Sequence, residues 1–301
     1  MINFHFFLKE RGITPRFWLL ALLVFIGFWY NENLASRPFG QRLPLLFLDF
    51  EFPNSPAEKA LLRKSQISIS GGSGVGGGNA IRVDYIGIER GSERVVATIP
   101  LKIKSNEMSL CFDVLFPGGF KFVKGGKLHG LGPEKPVTGG KPKFAAGWSV
   151  RAGFRPKGGI STYIYDQEEK TKYGTTKSAS TFVFKPGCYH SVSLHVKLNS
   201  TAGGNNGLVH LYVDGTPVVK SKKLKMRSSF ETNSLIGTFL FSTFHGGSSI
   251  EYAPRTAEGN LTRENAYFDN IGVYDGKHVR LRPRSSNSGS KKQEKENTDH
   301  E

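Results

Sequence analysis

Between Asn79 and Tyr274 the chain is written in short runs of alternating apolar and polar residues, broken by glycine- and proline-rich punctuation. A period of two places successive side chains on opposite faces of a strand. Ser191–Leu198 is the clearest case, with Val192, Leu194, Val196 and Leu198 facing one way. The same signal recurs in NAIRVDYIGI, ERVVATIPLKI, MSLCFDVLF, GWSVRAGF, STYIYD, STFVFK, YHSVSLHVKL, GLVHLYVDG, IGTFLFSTF and AYFDNIGVY. Turns such as Pro117-Gly118-Gly119 and Asp214-Gly215 separate the runs, and long helical periodicity is scarce. Many short strands joined by Gly/Pro turns predict an all-β domain, an antiparallel β-sandwich of jelly-roll type, over residues 80–283. No internal sequence repeat is found.

The flanks read differently. Residues 37–79 are expected to be a linker with a first strand. Prolines stand at 38, 44, 53 and 56, Leu45–Phe50 is a candidate strand, and Pro56–Ser65 a candidate short helix. GGSGVGGG (71–78) lacks the strand-before, helix-after context of a phosphate loop and reads as a structural turn. Residues 17–30, FWLLALLVFIGFWY, form an uncharged apolar run behind Lys9, Arg11 and Arg16. That order marks either a cleaved signal peptide or an uncleaved membrane anchor within residues 1–36. Both place the rest of the chain outside the cytosol, secreted or membrane-anchored. The polar tail 284–301 has the composition of a disordered segment.

Composition sharpens the choice of ligand. The formal net charge is +16, which favours polyanions as partners. A nucleic-acid role is set aside, because it leaves the N-terminal segment unexplained. Cys111 and Cys188 are expected either as two buried thiols or as one disulfide, and they lack metal-ligand spacing. No metal or cofactor is called for. Asn199-Ser200-Thr201 and Asn260-Leu261-Thr262 are glycosylation acceptors in principle.

The candidate chemistry lies in Phe120–Tyr165. Lys127 sits among glycines, Ser149 and Arg151 share one strand face, and Tyr163 and Tyr165 share another. Two adjacent strands would present a hydroxyl, a guanidinium and two phenols on one wall, a site suited to an anionic ligand. A glycoside hydrolase needs two placed carboxylates, and the central motifs hold no such pair. Asp269-Asn270 reads as structural.

The ordered segments CFDVLFPGGFKFVKGGKLHGL, GWSVRAGF, STYIYD, VKLNSTAGGNNGLVHLYVDG, FSTFHGGS and YFDNIGVY resemble the family 14 polysaccharide lyases over roughly residues 80–275. That family includes algal-virus, molluscan, fungal and bacterial alginate and glucuronan lyases. The resemblance implies a jelly roll with a cleft across its concave sheet. It also implies β-elimination on a uronic-acid polymer and a functional set of Lys127, Ser149, Arg151, Tyr163 and Tyr165. On this reading Tyr163 and Tyr165 carry the proton transfers, with phenol pKa values lowered by nearby cations. Lys127 neutralises the substrate carboxylate, or acts as base if desolvated, while Ser149 and Arg151 hold the sugar. The expected protein is a monomer with an anionic polysaccharide as partner. The competing reading is a non-catalytic carbohydrate-binding sandwich. His129 stands where the family has proline, and His245 where an aromatic residue is common. The segment GLGPEKPVTGG lacks the usual aromatic before its glycines. His129, Arg155, Lys157 and His245 are further subsite candidates, each expected to be solvated.

Overall fold

The computed structural model describes residues 43–168 and 171–283. The chain divides into two units, Met1–Leu43 and Pro44–Glu301, and the β-sandwich is built by the second. The apolar run 17–30 and the tail 284–301 lie outside the described residues. Among the described residues, no helix is long and apolar enough to cross a membrane.

In chain order the elements are β1 (Leu46–Leu48), α1 (Pro56–Leu62), β2 (Ile67–Ser70), β3 (Ala80–Ile88), β4 (Gly91–Ser92), β5 (Val95–Ser105), β6 (Glu107–Leu115), β7 (Gly126–Lys127) and β8 (Gly130–Gly132). They continue with β9 (Ser149–Phe154), β10 (Gly159–Tyr165), β11 (Thr175–Val183), β12 (Tyr189–Lys197), β13 (Gly207–Val213), β14 (Thr216–Leu224), β15 (Ile236–His245) and β16 (Arg263–Asp275). Two antiparallel sheets result. The larger runs β14-β13-β12-β6-β16-β3-β2, with β1 on β16 and β4 on β3. The smaller runs β11-β10-β9-β8-β15-β5, with β7 on β15.

The inward residues of both sheets make one core, including Val192, Leu194 and Val196 from β12 and Val150, Ala152 and Phe154 from β9. All ten alternating runs hold strands. Residues 44–79 are more than a linker: β1 and β2 extend the larger sheet, and Ser55 with Glu58 forms a capping box at the start of α1. The glycine-rich turn is held by the larger sheet, where the Asp269 carboxylate accepts the Val75 N–H at 2.8 Å. TPVVKSKKL, which forms β14 at a sheet edge, carries no clean alternation because its inward Ser221 is polar and the left-handed Lys223 breaks the register.

Phenylalanine is abundant because the sandwich closes at one end on an aromatic cluster. Phe116 packs edge-on to Phe122, Phe154 and Phe184 with centroids 5.0, 5.6 and 5.1 Å apart. Each such pair contributes about 0.5–1.5 kcal/mol beyond its burial. The cluster also braces the turn that delivers Lys127, in which Val123 has φ 46. A β-branched residue at positive φ is strained by about 1–3 kcal/mol and persists only where packing over-determines it.

Cys111 and Cys188 are both free thiols, which overturns the disulfide expectation, but only Cys111 is buried. Cys111 is buried in β6, whereas Cys188 precedes β12 in a turn. Asn199 is fully buried, and its amide donates to the carbonyls of Thr201 and Arg227 at 2.8 and 2.9 Å. The first glycosylation triplet is therefore a structural knot.

Candidate active site

The site is built on the β9–β10 hairpin. Its register places Tyr163 opposite Arg151 and Tyr165 opposite Ser149, so all four side chains leave the same side of the smaller sheet. Val150, Ala152 and Ile164 point the other way, into the core. Lys127 comes from β7, which pairs with β15 so that Lys127 faces Phe244. The Lys127 Nζ lies 3.0 Å from the centroid of the Tyr163 ring, a cation–π contact that ties β7 to β10.

Two glycines make this approach possible. A Cβ on Gly126 would stand 2.1 Å from the Phe244 carbonyl oxygen and 2.3 Å from Phe154 Cζ. A Cβ on Gly130 would stand 2.0 Å from the Val150 carbonyl oxygen and 2.7 Å from Arg151 Cγ. The glycines therefore let β7 and β8 come close to their neighbours and let the Arg151 stem lie across β8.

The electrostatics are unbalanced. Among the described residues no carboxylate pairs with Lys127 or Arg151, and the Arg151 Nε is buried without a partner. Burial, followed by the charges of Arg151, Arg155 and Arg94, pulls the Lys127 ammonium down to about 7. Burial lowers Arg151 to about 10, partly offset by the two tyrosines, and leaves it charged at neutral pH. Buried, unpaired cations are expensive. A site that keeps them is arranged to receive an anion.

The phenols are held by backbone. Tyr163 Oη accepts the Gly174 N–H at 3.1 Å, and Tyr165 Oη accepts the Gly140 N–H at 3.0 Å. Their rings meet edge-on at 5.4 Å. The sequence-based expectation of a phenol pKa lowered by cations is reversed at Tyr163. Burial raises it, the Tyr165 hydroxyl adds to the rise, and the Gly174 amide and Arg151 offset only part. Tyr163 is therefore a proton donor in the free site rather than a ready base.

The remaining candidates separate. Ser149 joins the others on the same face but is fully buried, and its hydroxyl donates to the Val137 carbonyl at 2.6 Å. It pins the 133–148 loop to β9. Arg155 lies at the hairpin turn, near enough to act on Lys127, while exposed Lys157 is the turn residue itself, with φ 58. His129 and His245, expected to be solvated, are both fully buried. His129 lies between the sheets, stacked on Phe241 at 4.4 Å, with Nδ1 accepting the Ser242 N–H. Burial takes it down to about 3. His245 donates from Nε2 to the Lys121 carbonyl at 2.7 Å, stacks on Phe120, and is lowered to about 4 by burial. His245 follows outward-facing Phe244, so the pleat turns it inward, whereas His129 follows Leu128, which is itself buried in the core.

Sequence reasoning missed Arg94. Its guanidinium donates to the carbonyls of Ser92, His245, Arg90 and Gly247 and lies 4.5 Å from the centroid of the Phe244 ring. Nothing local in ERVVATIPL marks it, because only β7–β15 pairing brings it to Lys127. Among the described residues, no group of three or more His, Cys, Asp or Glu side chains is placed to hold a metal.

With this geometry in hand, comparison with known proteins is decisive at the family level. The sequence pattern of the polysaccharide lyase 14 family matches residues 89–271. The chain belongs to that family. No curated protein sequence matches it. Among solved structures, this family 14 lyase is similar to alginate lyase Aly36B at 21% identity and a TM-score of 0.61, over 78% of this chain and 97% of that one. It is similar to the PL-14 alginate lyase of Aplysia kurodai at 24% identity and a TM-score of 0.58, over 77% and 99%. The endo-β-1,4-glucuronan lyase of the fungus Trichoderma reesei aligns at 11% identity and a TM-score of 0.53, over 81% and 100%. At such identities these likenesses speak for the β-sandwich fold, and the family assignment rests on the sequence pattern.

Proposed function

We propose that this polysaccharide lyase cleaves a uronic-acid polymer of alginate or glucuronan type by β-elimination at the Lys127–Tyr163–Arg151 cluster. The observation that carries the proposal is the pair of cations, Lys127 and Arg151, held without a carboxylate partner against two phenols on one sheet face. Solved alginate and glucuronan lyases of the same fold support the substrate class.

The reaction asks for three things, and the residues divide them. Arg151 stays charged and has the planar fork that grips a carboxylate, lowering the cost of the anion that forms when C5 loses its proton. Lys127, with a pKa near 7, is partly neutral at neutral pH and is placed to take that proton. The C5–H electron pair becomes the C4=C5 double bond, the C4–O4 bond breaks, and its electrons stay on O4. Tyr163, a neutral phenol, or Tyr165, each held by a backbone amide, then protonates the departing O4. The products are a chain whose new non-reducing end is an unsaturated uronate and a chain whose new reducing end carries a free anomeric hydroxyl. This assignment takes the base role for Lys127 over the neutralising one.

The basic-then-apolar N-terminus supports an extracytoplasmic site of action, where such polymers occur. The test is a screen of alginate, glucuronan and neutral glucans for products with the ultraviolet absorbance of the unsaturated uronate. Absorbance on a uronate polymer and none on neutral glucans is the expected result. Binding of folded protein to these polymers without any such product would overturn the enzyme reading and leave the carbohydrate-binding one.

A further inference from the structure

The outer face of the larger sheet carries a second group of cations, on the opposite side of the core from Lys127. Core-facing Val209, Leu211 and Val219 fix which way their neighbours point. Along one cross-strand row Lys220 of β14 stands opposite His210 of β13, which stands opposite His195 of β12. In the next row Lys222 faces Leu208, which faces Lys197. Neighbouring strands lie about 4.8 Å apart, so these rows set polar side chains at short, regular intervals across the sheet.

The segment after β16 adds to the same patch. It crosses the outer face pinned by hydroxyls, the His278 N–H donating to Ser109 Oγ at 2.8 Å and the Arg280 N–H to Ser193 Oγ at 3.1 Å. The His278 ring stacks on Tyr274 at 3.8 Å. That course brings Lys277 to 5.5 Å from the centroid of the Tyr212 ring. Lys220, Lys222 and Lys277 are exposed, and among the described residues none of them is paired with a carboxylate. Glu107, the acid on these rows, is already engaged by His195 at 2.8 Å and Lys197 at 3.4 Å.

Lysines on an edge strand guard against sheet-to-sheet pairing, and that accounts for Lys220 and Lys222. It does not account for Lys277, which arrives from a different segment and converges on the same spot beside an aromatic ring. We propose that this face is a second binding surface for acidic polysaccharide, separate from the Lys127 cluster. It rests on the reading of the substrate as a uronate polymer. A linear chain with a carboxylate on each sugar is the complement of Lys220, Lys222 and Lys277, three exposed lysines without a carboxylate partner that gather on one face. Tethering a long polymer there would raise its effective concentration at the cleavage site without new contacts in that site.

The experiment is native electrophoresis of the full chain in gels containing alginate, glucuronan or neutral dextran. It compares the unaltered protein with a triple variant, Lys220→Ser, Lys222→Ser and Lys277→Ser, and with the corresponding three Lys→Arg changes. All three positions are exposed, and a thermal melt confirms folding. The expected result is retardation by the acidic gels alone, weakened about tenfold in the serine variant and restored by arginine, as a few screened surface charges acting together would give. Turnover of a short oligouronate should be unchanged in the serine variant. Equal retardation of unaltered and serine proteins would overturn the proposal, as would equal retardation by dextran. Lysine-dependent binding to anionic lipid vesicles with no retardation by polymer would overturn it in favour of a membrane surface. Lysine-dependent retardation in a protein that cuts no uronate polymer would support this surface while sinking the cleavage reading, so the two failures are distinguishable.

Discussion

The depressed ammonium of Lys127 makes the sharpest prediction. Its fall from 10.5 to about 7 corresponds to at most about 5 kcal/mol against the charged form in the folded site. Burial supplies the largest share, and Arg151, Arg155 and Arg94 supply the rest. The pH profile of kcat/KM reports the free enzyme, so with Lys127 as base it should climb about tenfold per unit below pH 7 and level off above it. Replacing Arg155 by Gln removes one like charge near the hairpin turn and should raise the Lys127 pKa, moving that limb up by about 0.5–1 unit. The assay is the initial rate of unsaturated-product formation at sub-KM substrate between pH 5.5 and about 9, a window set by the group's pKa. A profile that falls through pH 7 as the pH rises would mean that Lys127 must carry its charge, and the base assignment would be lost. A limb that stays in place in Arg155→Gln would refute the electrostatic reasoning. Stability offers a companion readout. Between about 7 and 10.4 the unfolded chain binds the proton that the folded site releases, so unfolding free energy rises with pH across that window. The cost of the buried ammonium is thus fully present below pH 7 and fades towards pH 10. Lys127→Met should therefore raise Tm more at pH 6 than at pH 9.

Three further outcomes follow from the geometry. Tyr165→Phe removes a phenol and the acceptor of the Gly140 amide, and kcat should fall about 10²–10⁴-fold if Tyr165 is the acid; near-normal kcat would shift the role to Tyr163. Gly130→Ala forces a Cβ against Val150 and Arg151, so it should cost about 1–3 kcal/mol in urea unfolding and depress kcat/KM; an unchanged protein on both measures would contradict the described packing. His129 is held near 3 against an unfolded value near 6.5, so its share of stability is lost as pH falls from about 6.5. His129→Leu should flatten the fall in unfolding free energy between pH 6 and 4.5 by up to about 1.4 kcal/mol per pH unit relative to the unaltered protein. The comparison between the two proteins isolates His129, because Asp269, raised to about 6 by burial, works in the opposite direction.

Much of the fold was legible because alternation is a local property. Val192–Leu198 announces a strand with one apolar face whatever it packs against, although its outward Ser193 and His195 are buried as well, and the ten runs each became strands. Strand β14 was not legible, since its inward Ser221 is polar and Lys223, at positive φ, interrupts the period. Within the site, Ser149, Arg151, Tyr163 and Tyr165 were readable as two same-face pairs because the pleat fixes them. Their different uses were not. Ser149 is spent on Val137, a contact across a loop that strand spacing does not encode.

By itself, then, the sequence determined the strand content, the facing of each pair and, through the ordered motifs, the lyase family. Tertiary structure decided what depends on distance between remote segments. It brought Arg94 from before β5 and Lys127 from β7 into one field, lowered the lysine by burial, and left Tyr163 protonated instead of activated. It also turned His129 and His245 from apparent cleft residues into neutral core rings. The physical reason is the same in each case: face and period are fixed by neighbours in the chain, whereas desolvation and Coulomb interaction are set by whatever the fold places nearby.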